Sequence, residues 1–270
     1  MTGASEALNF NVCWNEKTKF KNASFLPSSI RALLIGSSNC GKTTLLFRLL
    51  LAGHVLDYNN LYIFSKSLNQ MEYKLLIDGF KHHLTKEHIR GIFVNQNEFK
   101  NIPIEDICYE ISRGLTENEK GDITVSAFNS NVNVPDPSVL DSKKKNLIIF
   151  DDVLLEKQRI IESYYTKGRH NACQTIYISQ SFFGIPKGTV RDNSNLLILF
   201  KLNNRDVSNI HDQIVRDDMD LDTFRRLCKK VWNEKYKFLV INKDEDDVNL
   251  KYTDGFDKTI KDILPDFVFN

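Results

Sequence analysis

Arg31-Ala-Leu-Leu-Ile-Gly36-Ser-Ser-Asn-Cys-Gly41-Lys42-Thr43-Thr44 runs from a short apolar segment into a Gly/Ser turn and then into the helical run Thr43–Ala52. Arg31–Ile35 reads as a buried strand. Gly36–Thr43 fits G-x-x-x-x-G-K-[ST], the Walker A pattern, inside the strand–loop–helix frame that the pattern requires. The chemistry sets the spacing. Glycines let the backbone fold closely around a phosphate chain, so that successive N–H groups and the positive end of the helix face the anion. Gly36, Ser37, Ser38, Asn39, Cys40, Gly41, Lys42, Thr43 and Thr44 are therefore expected to hold a nucleotide. Lys42 reaches the β- and γ-phosphates, and the Thr43 hydroxyl ligates Mg²⁺.

Outward from this loop, short apolar runs alternate with amphipathic segments. Asn60–Phe64 is a second predicted strand, Leu68–Phe80 a helix, Gly91–Val94 a third strand and Ile104–Ile111 a helix. Thr116–Lys145, polar and carrying Pro135 and Pro137, reads as a long loop, functional or mobile rather than packed. Three hydrophobic runs follow at Asn146–Phe150, Thr175–Ile178 and Leu196–Phe200. Continuous rather than alternating apolar character indicates strands covered on both faces, as in a parallel sheet with crossover helices. In the tail, Leu221–Trp232 reads as a basic amphipathic helix. Tyr236–Ile241 and Val248–Tyr252, around the acidic turn 243–247, read as an antiparallel hairpin. The expected architecture is a single α/β domain over 1–270, with a core over about 31–202 and a small C-terminal helix and hairpin extension over about 203–270.

Asn146-Leu-Ile-Ile-Phe-Asp151-Asp152 completes the candidate site, because a buried strand ending in carboxylates delivers them to the carboxyl edge of the sheet, beside the loop that follows the first strand. Asp151 is expected to hold Mg²⁺ through water, and Asp152 to orient and polarise the attacking water. Glu156 is a weaker candidate for the base. Thr175-Ile-Tyr-Ile-Ser179-Gln180-Ser181 ends the next strand, and Gln180 is expected to sense phosphate or position water.

Composition removes other classes. Hydrophobic residues at 41% and charged residues at 26% are those of an ordinary globular chain, not a disordered or fibrous one. A net charge of +1 leaves no overall field to attract nucleic acid, so any such contact is local. Five scattered cysteines (Cys13, Cys40, Cys108, Cys173, Cys228) without a Cys-x-x-Cys pair read as free thiols in a reducing compartment. The N-terminus lacks a signal peptide, and no apolar run is long enough to cross a bilayer. A soluble, intracellular protein is expected.

Taken together, Gly36–Thr43, the Ile-Ile-Phe-Asp-Asp strand end, and Tyr165-Thr-Lys-Gly-Arg169-His170 leading into Thr175–Ser181 resemble the genome-packaging ATPases of the FtsK/HerA superfamily. The match is to the poxvirus type shared by large DNA viruses, virophages and Maverick/Polinton elements. It spans about Arg31 to Lys201. The resemblance implies a P-loop NTPase with a RecA-like (ASCE), mainly parallel sheet flanked by helices. It further implies an ATP- and Mg²⁺-dependent ring, a hexamer, that moves double-stranded DNA into a preformed capsid. Capsid proteins would be partners, and the host cytoplasm or a viral factory the location, with virion association left open. In such rings a neighbour's arginine completes the ATP site. Arg169 is the first candidate for that finger and Arg191 the second. The superfamily usually carries Asp-Glu where this chain has Asp151-Asp152. A nucleotide-gated assembly switch, and another P-loop enzyme such as a helicase or kinase, stand as alternatives.

Other constellations are weaker. His82, His83 and His88 lack ligand-spaced partners and read as a solvated face. Ser142–Lys145 and Arg225–Lys230 are the basic clusters, each a solvated face or a phosphate-backbone contact. Cys40, close to a helix N-terminus, is expected to favour its thiolate.

Overall fold

The computed structural model describes residues 19–95 and 102–265. The expected absence of a signal peptide and the Cys13 thiol lie outside these residues. In chain order the described elements are β1 (Arg31–Ile35), α1 (Lys42–Leu51), β2 (Asn60–Ser65), α2 (Met71–Lys81), α3 (Lys86–Val94), α4 (Ile104–Arg113), β3 (Thr124–Phe128), β4 (Asn146–Asp151), α5 (Arg159–Lys167), β5 (Cys173–Ser179), β6 (Leu196–Leu199), α6 (Asn204–Ile210), α7 (Leu221–Val231), β7 (Leu239–Asn242), α8 (Val248–Lys251), β8 (Tyr252–Asp254), β9 (Lys258–Thr259) and α9 (Ile260–Ile263).

The strands form one nine-stranded sheet in the order β3-β2-β4-β5-β1-β6-β7-β8-β9. The first six in that order pair in parallel, and β7, β8 and β9 continue the sheet antiparallel. The apolar runs β1, β4 and β5 lie at the centre, where alternate side chains feed two cores. Leu33, Ile35, Ile148, Phe150 and Tyr177 pack on one face with α5, α6 and α7. Ala32, Leu34, Leu147, Ile149 and Ile178 pack on the other with α1 to α4. Burial on both faces explains why these strands show no polar alternation.

Three sequence expectations change. Gly91–Val94 is not a strand but the last turn of α3, which starts at a capping box between Thr85 and His88. Ile89 and Ile92, three residues apart on one helical face, are both buried. The polar stretch 116–145 is not a continuous loop. It contains β3, an edge strand with largely exposed side chains, and short 3₁₀ turns. The tail hairpin is shifted: 248–251 forms the helical turn α8, capped by the Asp247 side chain, and Tyr252–Asp254 is the strand that pairs with β7. No helix among the described residues is long and apolar enough to cross a membrane.

Candidate active site

In a parallel sheet the carboxyl ends of neighbouring strands open on one edge, and here that edge gathers the loops after β1, β2, β4 and β5. The loop after β1 is anchored at its base. The Gly36 N–H donates to the Ser179 carbonyl at 3.2 Å, and the Phe200 N–H donates to the Ile35 carbonyl at 2.8 Å. A Cβ on Gly36 would stand 2.6 Å from Phe200 Cβ and 2.7 Å from Cys40 Sγ, so packing demands glycine there. Gly41, with φ 103°, takes the left-handed turn into α1 that a side chain would resist. Helix α1 has no side-chain cap at Gly41 and no acidic residue in its first turn. Its leading N–H groups are therefore not capped by a side chain, and no acidic residue of its own first turn faces them, as anion binding favours. Ser37, Ser38, Asn39 and Thr44 are exposed and Thr43 is half-buried on this surface. Lys42 Nζ donates to the Gly36 and Ser37 carbonyls at 2.6 and 2.7 Å, partners for which a phosphate would compete.

Asp151 ends β4 and is 8% exposed. The buried Tyr73 hydroxyl, on α2, donates to Asp151 Oδ2 at 2.6 Å. Burial pushes the Asp151 carboxyl above the usual carboxylate range, and the Tyr73 hydrogen bond works against that shift. A carboxylate such as Asp151 and a hydroxyl such as Thr43 are hard oxygen donors of the kind Mg²⁺ takes. Asp152 is exposed and adopts φ 55°, an uncommon backbone conformation that turns it out of the strand, with Ser67 Oγ 3.5 Å from its Oδ2. Its outward turn leaves the shorter carboxylate open to water. Glu156 instead binds Lys66 Nζ at 2.9 Å, and Lys66 also donates to the Asn129 carbonyl at 2.8 Å. That ion pair clasps the loops after β2, β3 and β4 together and occupies Glu156.

Strand β5 lies between β1 and β4 and carries Gln180 to the same edge, where Ser38 Oγ donates to Gln180 Oε1 at 3.1 Å. Phosphate loop, two carboxylates and an amide thus converge.

Arg169 does not join them. It sits in the turn Gly168–Asn171 before β5, at the opposite edge of the sheet. The charge of Arg169 reaches Arg31 at the start of β1, whose guanidinium burial pulls down, Asp244 holds up and Arg169 pulls down further. The seven residues of β5 separate Arg169 from Gln180 by about 20 Å. It is exposed. Arg191, by contrast, is enclosed at 7% exposure, with its guanidinium 4.8 Å from the Phe182 ring centroid. It is not displayed to a neighbour.

Cys40 is half-buried in the loop, and burial raises its thiol above the ordinary range despite the nearby Lys42; the expected thiolate preference is reversed. Among the histidines, His88 Nδ1 accepts from the Thr85 N–H at 3.3 Å as part of the α3 cap, and His82 packs edge-on to Tyr109. In the basic clusters, Lys145 pairs with Asp57 at 2.6 Å and Arg225 with Asp222 at 3.4 Å. Sequence reasoning missed Tyr73, Ser67 and Lys66, none of which belongs to a local motif.

A phosphate loop after β1, carboxylates after β4 and an inserted β5 between them define a P-loop NTPase fold of the RecA-like (ASCE) type. No protein-family model and no curated protein sequence matches the chain. Solved structures with a similar fold include the genome packaging NTPase B204 from Sulfolobus turreted icosahedral virus 2 in complex with AMP. It has a TM-score of 0.48 and 13% identity, covering 84% of this chain and 96% of that one. VirB4 of Thermoanaerobacter pseudethanolicus has a TM-score of 0.40 and 9% identity, covering 79% and 86%. EssC (ATPases 2 and 3) from Geobacillus thermodenitrificans has a TM-score of 0.40 and 14% identity, covering 79% and 37%.

Proposed function

We propose that this chain is a Mg²⁺-dependent ATPase that works as an oligomeric ring, a hexamer, and moves double-stranded DNA into a preformed capsid. The observation that carries the reading is the split of the site across the sheet. The phosphate loop, Asp151, Asp152 and Gln180 share the carboxyl edge. The arginine of the Gly-Arg-His segment is exposed at the other edge, beyond reach of its own site. Such a chain offers half a site at each edge and is completed by a second copy.

In this reading Lys42 and the loop N–H groups bind the β- and γ-phosphates, and Thr43 and Asp151 hold Mg²⁺, which neutralises charge on the phosphates when bound. Asp152 accepts a proton from the attacking water, Gln180 orients that water, and Arg169 of the adjacent copy faces the transferring phosphoryl group. The resemblance of the Gly-Arg-His and strand–Gln segments to packaging ATPases supports DNA as the cargo, capsid proteins as partners, and the host cytoplasm or a viral factory as the place of work.

Steady-state ATP hydrolysis with Mg²⁺, with and without double-stranded DNA, tests the proposal alongside Lys42→Ala. Hydrolysis rising several-fold with duplex DNA and vanishing in the variant is the expected result. Robust hydrolysis indifferent to DNA would replace the motor with a nucleotide-gated switch.

A further inference from the structure

The phosphate loop has two flanks. On the β5 side stand Asp151 and Gln180, the end of the site where a terminal phosphate would react. On the β6 side the loop borders an open cleft of about 470 Å³ whose walls are Ser38, Cys40, Phe200, Trp232, Tyr236 and Lys237. A nucleotide laid along the loop with its terminal phosphate toward Gln180 directs the rest of the molecule across Gly41 into this cleft.

Tyr236 occupies the crossing point. A Cβ on Gly41 would lie 3.2 Å from Tyr236 Cδ1 and 3.5 Å from Phe200 Cε1, so both rings border the loop where it enters α1. The Tyr236 side chain is 66% exposed, a large aromatic surface open to solvent beside a polar loop. Its hydroxyl has no hydrogen-bond partner among the described residues. The residue sits at φ 68°, a left-handed conformation that residues with side chains rarely adopt. The connection that presents it is fixed at both ends. Trp232 Nε1 donates to the Leu199 carbonyl at 2.9 Å, and β7 is in register with β6. Phe200 is itself backed by Phe238, with ring centroids 5.3 Å apart.

We infer that this cleft is the nucleobase subsite and that Tyr236 is the platform on which the base stacks, an inference that rests on the phosphate-loop reading above. Stacking uses a π-face that every base has, and the cleft's polar side chains, including Asn233 and Glu234, lie at its exposed rim. The subsite therefore accepts nucleotides with little discrimination among their bases.

Calorimetric titration with ATP, GTP and inorganic tripolyphosphate, which carries phosphates and no base, tests the inference. Tyr236→Ala is expected to weaken ATP and GTP by about five- to hundredfold while tripolyphosphate binding stays within about twofold. Tyr236→Phe is expected to bind all three as the wild type does. Wild-type ATP affinity in Tyr236→Ala, with both ligands lost in Lys42→Ala, would overturn the subsite and leave the phosphate loop standing. An equal loss of ATP and tripolyphosphate in Tyr236→Ala would overturn it too, by making Tyr236 a support of the loop's shape. A wild-type protein that binds neither ligand would overturn the subsite and the phosphate-loop reading together.

Discussion

The Tyr73 hydroxyl donates a 2.6 Å hydrogen bond to Asp151 Oδ2, joining helix α2 to the end of β4. Both groups are buried, and the bond favours the ionised carboxylate against the effect of burial. Tyr73 thus positions the residue proposed to hold Mg²⁺ without lying in the phosphate loop. Tyr73→Phe keeps the ring and removes the donor. A hydrogen bond to a charged group contributes about 1.5–3 kcal/mol, equivalent to tenfold or more in an equilibrium. The Mg²⁺ concentration for half-maximal hydrolysis is expected to rise, by no more than that factor because the bond also exists without the metal, with tripolyphosphate binding in the absence of metal unchanged. Unaltered Mg²⁺ dependence would reduce Tyr73 to a packing role.

Arg169 and Lys42 lie at opposite edges of one sheet, so their loss is expected to be complementable between copies. Arg169→Ala and Lys42→Ala are each expected to be nearly inactive, a finger arginine being worth about 10³–10⁵ in rate. Mixed subunits would pair some intact loops with intact arginines. Their hydrolysis is expected to exceed that of either variant alone, measured after co-refolding or subunit exchange. An inactive mixture in which mixed assembly is shown would argue against Arg169 acting between copies.

Gly36→Ala places a methyl group where Phe200 and Cys40 already stand. The expected cost in stability is about 1–3 kcal/mol, as for overpacking elsewhere. The larger effect falls on function: nucleotide affinity is expected to drop sharply while far-ultraviolet circular dichroism stays native. Thermal denaturation and ATP titration of the same sample check both halves.

The raised Cys40 thiol sets the direction of its pH dependence. At neutral pH less thiolate is present than on an ordinary cysteine, so alkylation by iodoacetamide is expected to be slow and to go on accelerating with pH beyond the point where an ordinary cysteine levels off. Lys42 favours the thiolate, so Lys42→Ala is expected to slow the reaction further. ATP is expected to protect. Peptide mass spectrometry in a Cys13→Ser background reads Cys40 against the buried Cys108, Cys173 and Cys228. A rate independent of pH between about 7 and 10 would contradict the raised thiol.

Local signals carried the centre of the fold. Strands β1, β2, β4, β5 and β6 announce themselves because burial on both faces requires unbroken apolar runs, and the phosphate loop because phosphate contact requires glycine at fixed spacing. Residues 91–94 misled for the same reason. Ile92, Phe93 and Val94 favour a strand locally, but Ile89 fits against Gly79 of α2 and Phe93 stacks on Phe47 of α1, and those contacts select a helix. Strand β3 was hidden because an edge strand with exposed side chains needs no apolar run. Hydropathy also missed Tyr73, which lies 78 positions from its partner, and Tyr236, which meets Gly41 only where the α7–β7 connection returns to the loop. Contacts of that kind belong to topology rather than to any window of sequence.

Helix α1 begins at Gly41 with no side chain to satisfy its leading amides. Unlike α3, α6 and α7, whose N-cap side chains accept from their first turns, α1 would have that role filled by a bound phosphate in the proposed reading. Occupancy of the loop should therefore be legible as heat resistance: each tenfold rise in ligand above its dissociation constant adds about 1.4 kcal/mol to the folded state. If the loop binds nucleotide as proposed, the melting temperature becomes a gauge of nucleotide concentration, and the unliganded protein is the form most exposed to thermal loss.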